Sequence, residues 1–176
     1  MDCGANIGQV TALLAERGAD VYAFEPNPYA FDVLTRRFAA NARVHCRPLA
    51  VAGTAGAARL HPHVDAPSDQ VAWSTGSSLF DSRPNVDPAR FVDVEAIDLE
   101  AFLDGLGREA QLLKLDVEGA EIEILERLLA SCRLTAIGHV LVEMHDRRIP
   151  ELEARGSALR ARLDAPGYRH VHLDWV

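Results

Sequence analysis

Residues 112–125, with the sequence LLKLDVEGAEIEIL, constrain the fold of this chain more than any other segment. The apolar run at 112–115 is typical of a buried strand in a parallel sheet. A polar turn follows at 116–121 without a linker, and apolar side chains then recur at helical spacing, at Ile122, Leu125, Leu128 and Leu129. A strand, a turn and a helix in this order form half of a βαβ unit, so the segment predicts an α/β fold.

The polar turn also points to the place of function. In open α/β sheets the ligand binds just beyond the carboxyl ends of the strands. Asp116, Glu118 and Glu121 follow the predicted strand directly and therefore lie where a ligand would bind.

The first part of the chain continues the alternation of helices and strands. A glycine-bearing turn at 2–8 comes first, and Gly18 suits the end of the helix that follows it. The predicted elements are a helix at 9–17, a strand at 20–25, a helix that starts at 26–28 and a strand at 43–51. This order predicts a mostly parallel sheet with helices on both faces.

Residues 53–97 interrupt that order and are rich in Pro, Ser, Asp and Gly. Two apolar runs, at 58–64 and 91–97, predict an inserted antiparallel strand pair, and Pro62 would keep the first strand at an edge. The long polar loop between them, 65–88, is of a length that is usually functional or disordered.

The last part of the chain returns to the α/β order. Asp98 can cap a short helix, and Pro150 suits the first turn of another. The predicted elements are a helix at 99–103, the strand at 112–115, a strand at 139–145, a helix at 150–163 and a closing strand at 168–176. We expect one domain over residues 1–176.

Composition and charge disfavour several classes of protein. A length of 176 residues with 48% hydrophobic side chains is enough for one core and too short for two. A net charge of −8 disfavours a nucleic-acid partner. The sequence has no long apolar run and no signal peptide, so we expect neither secretion nor a membrane partner. Three cysteines without metal-binding spacing favour reduced thiols, so we expect a cytoplasmic protein.

The first group of candidate site residues is Asp2, Gly4, Asn6 and Gly8 in the glycine turn, together with Glu25 at the end of the next strand. Glycines at such a turn let a ligand approach the backbone, and the acid can bind both hydroxyls of a ribose. Asn6 stands where a dinucleotide site would have its middle glycine. A nucleoside cofactor without phosphates tolerates this better, and S-adenosylmethionine is the common one. The alternative is a tight structural turn with a solvated Glu25.

The second group follows from strand alternation. Lys114 and Asp116 share one face of their strand, and Glu143 and His145 share one face of theirs. If the strands are neighbours, four ionisable groups meet at the carboxyl edge of the sheet. The functional interpretation makes Asp116 and His145 contacts to cofactor and acceptor, with His145 favoured over Asp116 as the base.

Two alternatives remain for this group. A Lys114–Glu143 ion pair would only fix the two strands. Asp116, Glu143 and His145 offer ligands that suit a divalent cation, although we assign no residue to a metal. A third feature, Ser77 and Ser78 in the long loop, is either an ordinary turn or part of a lid whose hydroxyls face the ligand.

Together these segments resemble a known family over nearly the whole chain. DCGANIG, FEPNPYAF, GSSL, VDVEAIDLEAFL, LLKLDVEGAEIEIL and VEMH, in this order, are similar to the FkbM-type S-adenosylmethionine-dependent methyltransferases. The resemblance implies a Rossmann-like class I methyltransferase sheet. It also implies methylation of hydroxyl oxygens on sugars, polyketides and related small metabolites.

The resemblance also implies roles for individual residues. Gly4, Asn6 and Gly8 would line the methionine part of the cofactor, and Glu25 would bind its ribose. Residues 49–51 would lie near adenine, and Asp116 near the transferred methyl group. The remaining assignments are Asp2, Asn27, Leu49 and Ala50 to the cofactor site, Ser77, Ser78, Glu118 and Glu143 to the acceptor site, and Lys114 to catalysis with Asp116 and His145.

The chain departs from the family pattern at its ends. In the family an apolar strand precedes the glycine turn in the middle of the sheet, whereas only Met1 precedes Asp2 here. A second strand usually follows near the C-terminus, and this chain stops at Val176 after one. We therefore expect a domain truncated at both ends, with its first strand missing. The exposed strand edges would favour a homo-oligomer.

Two other functions compete with methyl transfer. The glycine turn and Glu25 alone would also suit a nicotinamide-dependent oxidoreductase. The missing first strand would suit a degenerate, non-catalytic domain that kept the fold.

Overall fold

The computed structural model describes residues 1–173 and residue 175; Asp174 and Val176 lie outside the described residues. The strands are β1 Asp2–Cys3, β2 Val21–Phe24, β3 Val44–Arg47, β4 Leu49–Ala52, β5 Gly56–Leu60, β6 Val92–Asp98, β7 Leu112–Leu115, β8 His139–Val142 and β9 Val171–Leu173. The α-helices are α1 Gln9–Glu16, α2 Pro28–Phe38, α3 Leu99–Gly105, α4 Glu121–Ala130 and α5 Glu153–Leu163.

The main sheet has six strands in the order β3-β2-β1-β7-β8-β9, and every pair is parallel. β2 and β3 lie on one side of β1, and the later strands β7, β8 and β9 lie on its other side. The strand order therefore reverses at β1. A crevice forms beyond the carboxyl ends of the strands at such a reversal, and this is where ligands bind in open α/β sheets. The predicted Rossmann-like sheet is confirmed.

The first strand is short, and the prediction that it is missing is corrected. Asp2 pairs with Ala23 of β2 on one side and with Lys114 of β7 on the other. The Lys114 backbone N–H donates to the Met1 carbonyl at 3.0 Å, and the Asp116 N–H donates to the Cys3 carbonyl at 3.1 Å. Two residues are enough to join β2 and β7 at the end of the sheet that carries the crevice.

The inserted antiparallel pair is confirmed as β5 and β6, with Leu60 opposite Val92. The single strand predicted at 43–51 is wrong, because Pro48 between β3 and β4 has no N–H to continue a strand ladder. β3 stays in the main sheet, whereas β4 pairs parallel to β6 and completes a second, three-stranded sheet in the order β4-β6-β5.

The helices follow the predicted pattern closely. The apolar face predicted for α4 is buried, and it consists of Ile122, Leu125, Leu128 and Leu129. Asp98 caps α3 by accepting a hydrogen bond from the Ala101 N–H at 3.1 Å. The helix predicted at 150–163 begins with a 3₁₀ turn, Pro150–Leu152, before α5. The closing strand is shorter than predicted, and part of the predicted range lies outside the described residues.

The loop at 65–88 is held against the second sheet and the main-sheet crevice. It contains a 3₁₀ turn, Ser74–Gly76, and Ser78 exchanges two backbone hydrogen bonds with His61. A second bridge joins His63 to Val86. No helix in the described part of the chain has the length and apolar character that a membrane crossing requires.

Candidate active site

A cleft lies at the carboxyl ends of β1, β2 and β7, under the loop at 65–88. The space within it, including the solvent at its open mouth, has a volume of about 590 Å³. Eight of the residues predicted for the site line it: Gly4, Asn6, Glu25, Ala50, Val51, Ser77, Asp116 and Glu118. The lining residues to which the sequence gave no role are Pro26, Leu60, Ser74, Thr75, Leu79 and Val117.

The glycine turn after β1 packs tightly against the turn after β7. Gly4 has a φ of 77°, which favours glycine, and a Cβ at this position would overlap the Asp116 carbonyl oxygen. The two turns therefore form one wall of the cleft, and the backbone at Gly4 is open to a ligand.

Glu25 follows β2 and is held rigidly in the cleft wall. Its Oε2 accepts a hydrogen bond from the Asn6 N–H, and its Oε1 accepts one from the Asn27 N–H, each at 2.8 Å. The residue is 6% exposed. Burial raises the pKa of the Glu25 carboxyl to about 7, although the two backbone hydrogen bonds act in the opposite direction.

The loop at 65–88 covers the cleft through hydroxyl contacts. Asn6 Nδ2 donates to Ser74 Oγ at 2.8 Å, and Asn27 Nδ2 donates to Ser77 Oγ at 3.1 Å. Ser78 Oγ donates to the Glu118 carbonyl at 2.6 Å, which ties the loop to the turn after β7. The loop therefore lies where the predicted lid would lie, with Ser77 in the cleft wall and Ser78 buried behind it.

Lys114 is buried at the base of this wall. Its Nζ donates to the Gly4 carbonyl at 2.6 Å and lies 3.4 Å from Asp2 Oδ1 and 3.3 Å from Asp116 Oδ2. Burial acts to lower the pKa of the Lys114 ammonium, but the two carboxylates outweigh it and raise this pKa. Lys114 thus pairs with Asp2 and Asp116, and the alternative Lys114–Glu143 ion pair is wrong.

Four residues predicted for the cofactor site lie outside the lining of this cleft: Asp2, Gly8, Asn27 and Leu49. Asp2 is fully buried, and its Oδ2 accepts a hydrogen bond from the Thr11 hydroxyl at 2.6 Å. Asn27 Oδ1 instead caps α2 by accepting from the Tyr29 and Ala30 N–H groups. These side chains support the wall rather than form it.

His145 is buried among carboxylates next to the cleft. Nδ1 lies 3.0 Å from Glu121 Oε1, and Nε2 lies 3.0 Å from Glu118 Oε2. Nε2 also lies 3.5 Å from Glu143 Oε1 and 4.0 Å from Asp116 Oδ1. Burial acts to lower the pKa of His145, but the nearby carboxylates of Glu118 and Glu121 raise it to about 10.

Sequence reasoning missed one residue of this cluster, Arg83, and placed Glu121 in the polar turn without giving it a role. Glu121 is fully buried at the start of α4, where an acidic side chain in the first turn is a usual capping signal. Arg83 comes from the long loop, is 8% exposed, and lies with NH2 2.5 Å from Glu118 Oε2. Its position depends on how the loop folds back, so no local pattern could have indicated it.

The cluster is internally paired. Asp116, Glu118 and His145 bring possible cation ligands within 4.8 Å of one another. Asp116 already pairs with Lys114, and Glu118 already pairs with both Arg83 and His145. The geometry is therefore accounted for by the charges of the chain itself.

The fold and the site together define a class of protein. The strand order of the parallel sheet reverses at β1, and a glycine turn and an acid after the next strand lie around one cleft. This is the Rossmann-like architecture of class I methyltransferases. The family described as the methyltransferase FkbM domain matches residues 2–170. The chain belongs to this family, which supports a methyltransferase function.

Among solved structures, the chain is similar to a methyltransferase FkbM from Methylobacillus flagellatus KT, with 18% sequence identity and a TM-score of 0.43. The similarity covers 74% of this chain and 28% of that chain, so this chain spans under a third of that protein's length. A comparison with curated protein sequences gave no match.

Proposed function

We propose that the protein transfers the methyl group of S-adenosylmethionine to a hydroxyl oxygen of a sugar, polyketide or related small metabolite. The observation that carries the proposal is Glu25, a carboxylate held by two backbone N–H groups in the wall of the cleft. Each of its oxygens keeps a lone pair with which it can accept a hydrogen bond from a ribose hydroxyl.

The rest of the lining fits the same cofactor. Gly4 leaves its backbone open to the methionine part, and Ala50, Val51 and Leu60 offer an apolar surface that suits adenine. The Asn6 side chain donates a hydrogen bond to Ser74 Oγ of the loop at 65–88. This contact lies over the glycine turn, where a dinucleotide would need room for its pyrophosphate. This contact favours a nucleoside cofactor over a nicotinamide dinucleotide.

When bound, S-adenosylmethionine supplies an electrophilic methyl group on a sulfonium sulfur. The chain has to align the acceptor oxygen and receive its proton. Asp116 lines the cleft, and Glu143 follows the neighbouring strand with its side chain 27% exposed. Burial and the nearby Asp116 carboxylate raise the pKa of Glu143, which makes it a better proton acceptor at neutral pH. We therefore assign the base to Glu143 and the contact beside the methyl group to Asp116.

Calorimetric titration of the folded chain with S-adenosylhomocysteine tests the proposal. We expect one-to-one binding with micromolar affinity, and no binding of NADH under the same conditions. If a chain shown to be folded by circular dichroism binds no S-adenosylhomocysteine, the degenerate-domain alternative is favoured. If it binds NADH instead, the oxidoreductase alternative is favoured.

The affinity for S-adenosylhomocysteine should fall as the pH drops below about 7, the pKa to which burial raises Glu25. Ribose hydroxyls donate to the ionised carboxylate, so below this pH binding must first release the Glu25 proton. The limiting loss is about tenfold in affinity per pH unit. Calorimetry at pH 6 in two buffers of different ionisation enthalpy should detect the released proton. The Glu25→Gln variant should show no such release. An affinity of the wild-type protein that does not change between pH 5.5 and 8 would contradict the prediction.

A further inference from the structure

The protonation of His145 follows from its contacts. The imidazole is 1% exposed and follows β8 directly after Glu143 and Met144. Its two nitrogens each lie 3.0 Å from a carboxylate oxygen, one of Glu121 and one of Glu118. Ionised carboxylates can only accept hydrogen bonds, whereas a neutral imidazole has one donor and one acceptor nitrogen. Nδ1 shares a hydrogen bond with Glu121 Oε1, and a bare lone pair on Nε2 would face the Glu118 carboxylate at 3.0 Å and be repelled by it. A hydrogen on both nitrogens removes this repulsion, so the contacts point to an imidazolium.

Glu121 is buried and held by two backbone N–H groups. It is fully buried, and its Oε1 accepts from the Val117 N–H while its Oε2 accepts from the Gly119 N–H, each at 2.9 Å. Both hydrogen bonds favour the charged carboxylate. The same bonds hold the turn that carries Glu118, whose φ of 57° is a left-handed conformation. Glu121 therefore links the shape of the acidic turn to the charge of the imidazole.

We propose that Glu121 and His145 form a permanent buried ion pair, in which the imidazolium holds the carboxylates of Glu118 and Glu143 beside the cleft. His145 is then a positioning residue and not the base, and Glu121 acts through it. The catalytic part of this inference rests on the proposed methyl transfer, whereas the ion pair itself does not.

The charges around the cluster show why a fixed cation is needed there. Asp116, Glu118 and Glu143 all approach His145 Nε2, at 4.0, 3.0 and 3.5 Å, and Glu121 faces Nδ1. Carboxylates this close would repel one another, and one would take up a proton if no cation separated them. Lys114 and Arg83 pair with single members of the set, whereas the imidazolium faces all of them.

Nuclear magnetic resonance of the free protein tests the ion pair, with ¹⁵N-labelled histidine and long-range ¹H–¹⁵N correlation between pH 6 and 9. We expect both ring nitrogens of His145 to stay protonated over this range. The His145 signals can be assigned from their loss in His145→Gln. A His145 ring that is neutral at pH 8 in the wild-type protein would overturn the proposal without any variant.

Two variants separate Glu121 from its neighbours on the helix. Glu121→Gln should bring the titration of His145 into the measured range, because the carboxylate that faces Nδ1 is removed. Glu126→Gln should leave it unchanged, since Glu126 pairs with Arg155 on the surface of α4. If Glu121→Gln remains folded and His145 does not respond, Glu121 has no positioning role.

Binding of S-adenosylhomocysteine distinguishes this inference from the proposed function. Loss of binding by the wild-type chain would remove the proposed function but leave the protonation of His145 to be decided by the resonance data. Glu126→Gln serves as the binding control, because Glu126 does not line the cleft and pairs with Arg155; its dissociation constant for S-adenosylhomocysteine should stay within about twofold of wild type.

Discussion

Replacement of Lys114 by methionine is expected to lower the free energy of unfolding by about 3–5 kcal/mol, the usual cost of removing one partner from a buried ion pair. Asp2 is fully buried, and its Oδ1 has the Lys114 ammonium 3.4 Å away and no hydrogen bond. Methionine fills a similar volume but leaves the Asp2 carboxylate without a compensating charge. The loss also frees the Gly4 carbonyl, which accepts from Nζ at 2.6 Å. Urea denaturation followed by circular dichroism measures the change.

A surface ion pair provides the control for Lys114. Arg36 pairs with Asp32 four residues earlier on α2, and both side chains are more than half exposed. Arg36→Met should therefore cost less than about 1 kcal/mol. The double variant Lys114→Met with Asp2→Asn should recover part of the loss, because the uncompensated charge is gone. A cost below about 1 kcal/mol for Lys114→Met alone would show that the pair does not stabilise the sheet.

The parts of the fold that could be predicted are those with local signals. The segment from β7 to α4 combines an apolar run, a polar turn and a helical period, and each of these is set by neighbours in sequence. The insertion was also recognisable, because a run of turn residues separates its two apolar strands. Strand alternation correctly placed Asp116, Glu143 and His145 at one edge of the sheet.

The parts that could not be predicted depend on contacts between distant segments. The period of β7 puts Lys114 and Asp116 on one face, but it does not say that Asp2 is the other partner of Lys114. β1 has only two residues, too few for a recognisable strand pattern, although they pair with both β2 and β7. Arg83 lies in a loop with no period, and it reaches Glu118 only because that loop folds over the crevice.

The protonation of His145 shows the same limit at the level of chemistry. A histidine at the end of a strand beside acidic residues suggests a base. The structure places a carboxylate against each ring nitrogen, and the second of these comes from the start of α4. A residue type and its position thus indicated the site, whereas the role depends on partners that only the tertiary structure supplies.

Replacement of Glu25 by alanine is expected to weaken the binding of S-adenosylhomocysteine by about 100-fold or more at pH 8, where the carboxylate is largely ionised. The variant loses hydrogen bonds from a charged group to two ribose hydroxyls, each worth about 1.5–3 kcal/mol, and about 1.4 kcal/mol corresponds to tenfold in affinity. It also leaves the Asn6 and Asn27 N–H groups without their carboxylate partner, which loosens the cleft wall. Calorimetric titration of both proteins measures the difference.

The comparison with Glu126→Ala makes the result specific. Glu126 lies on the surface of α4, paired with Arg155, so its removal should change the affinity by less than twofold. Thermal unfolding of both variants checks that each chain is folded at the temperature of the titration. Because burial raises the pKa of Glu25 to about 7, the penalty of Glu25→Ala should shrink as the pH falls toward 6, where the wild-type carboxyl is already mostly protonated. A loss of affinity that is equal at pH 6 and pH 8 would mean that Glu25 only shapes the turn, and that the ribose is bound by other groups.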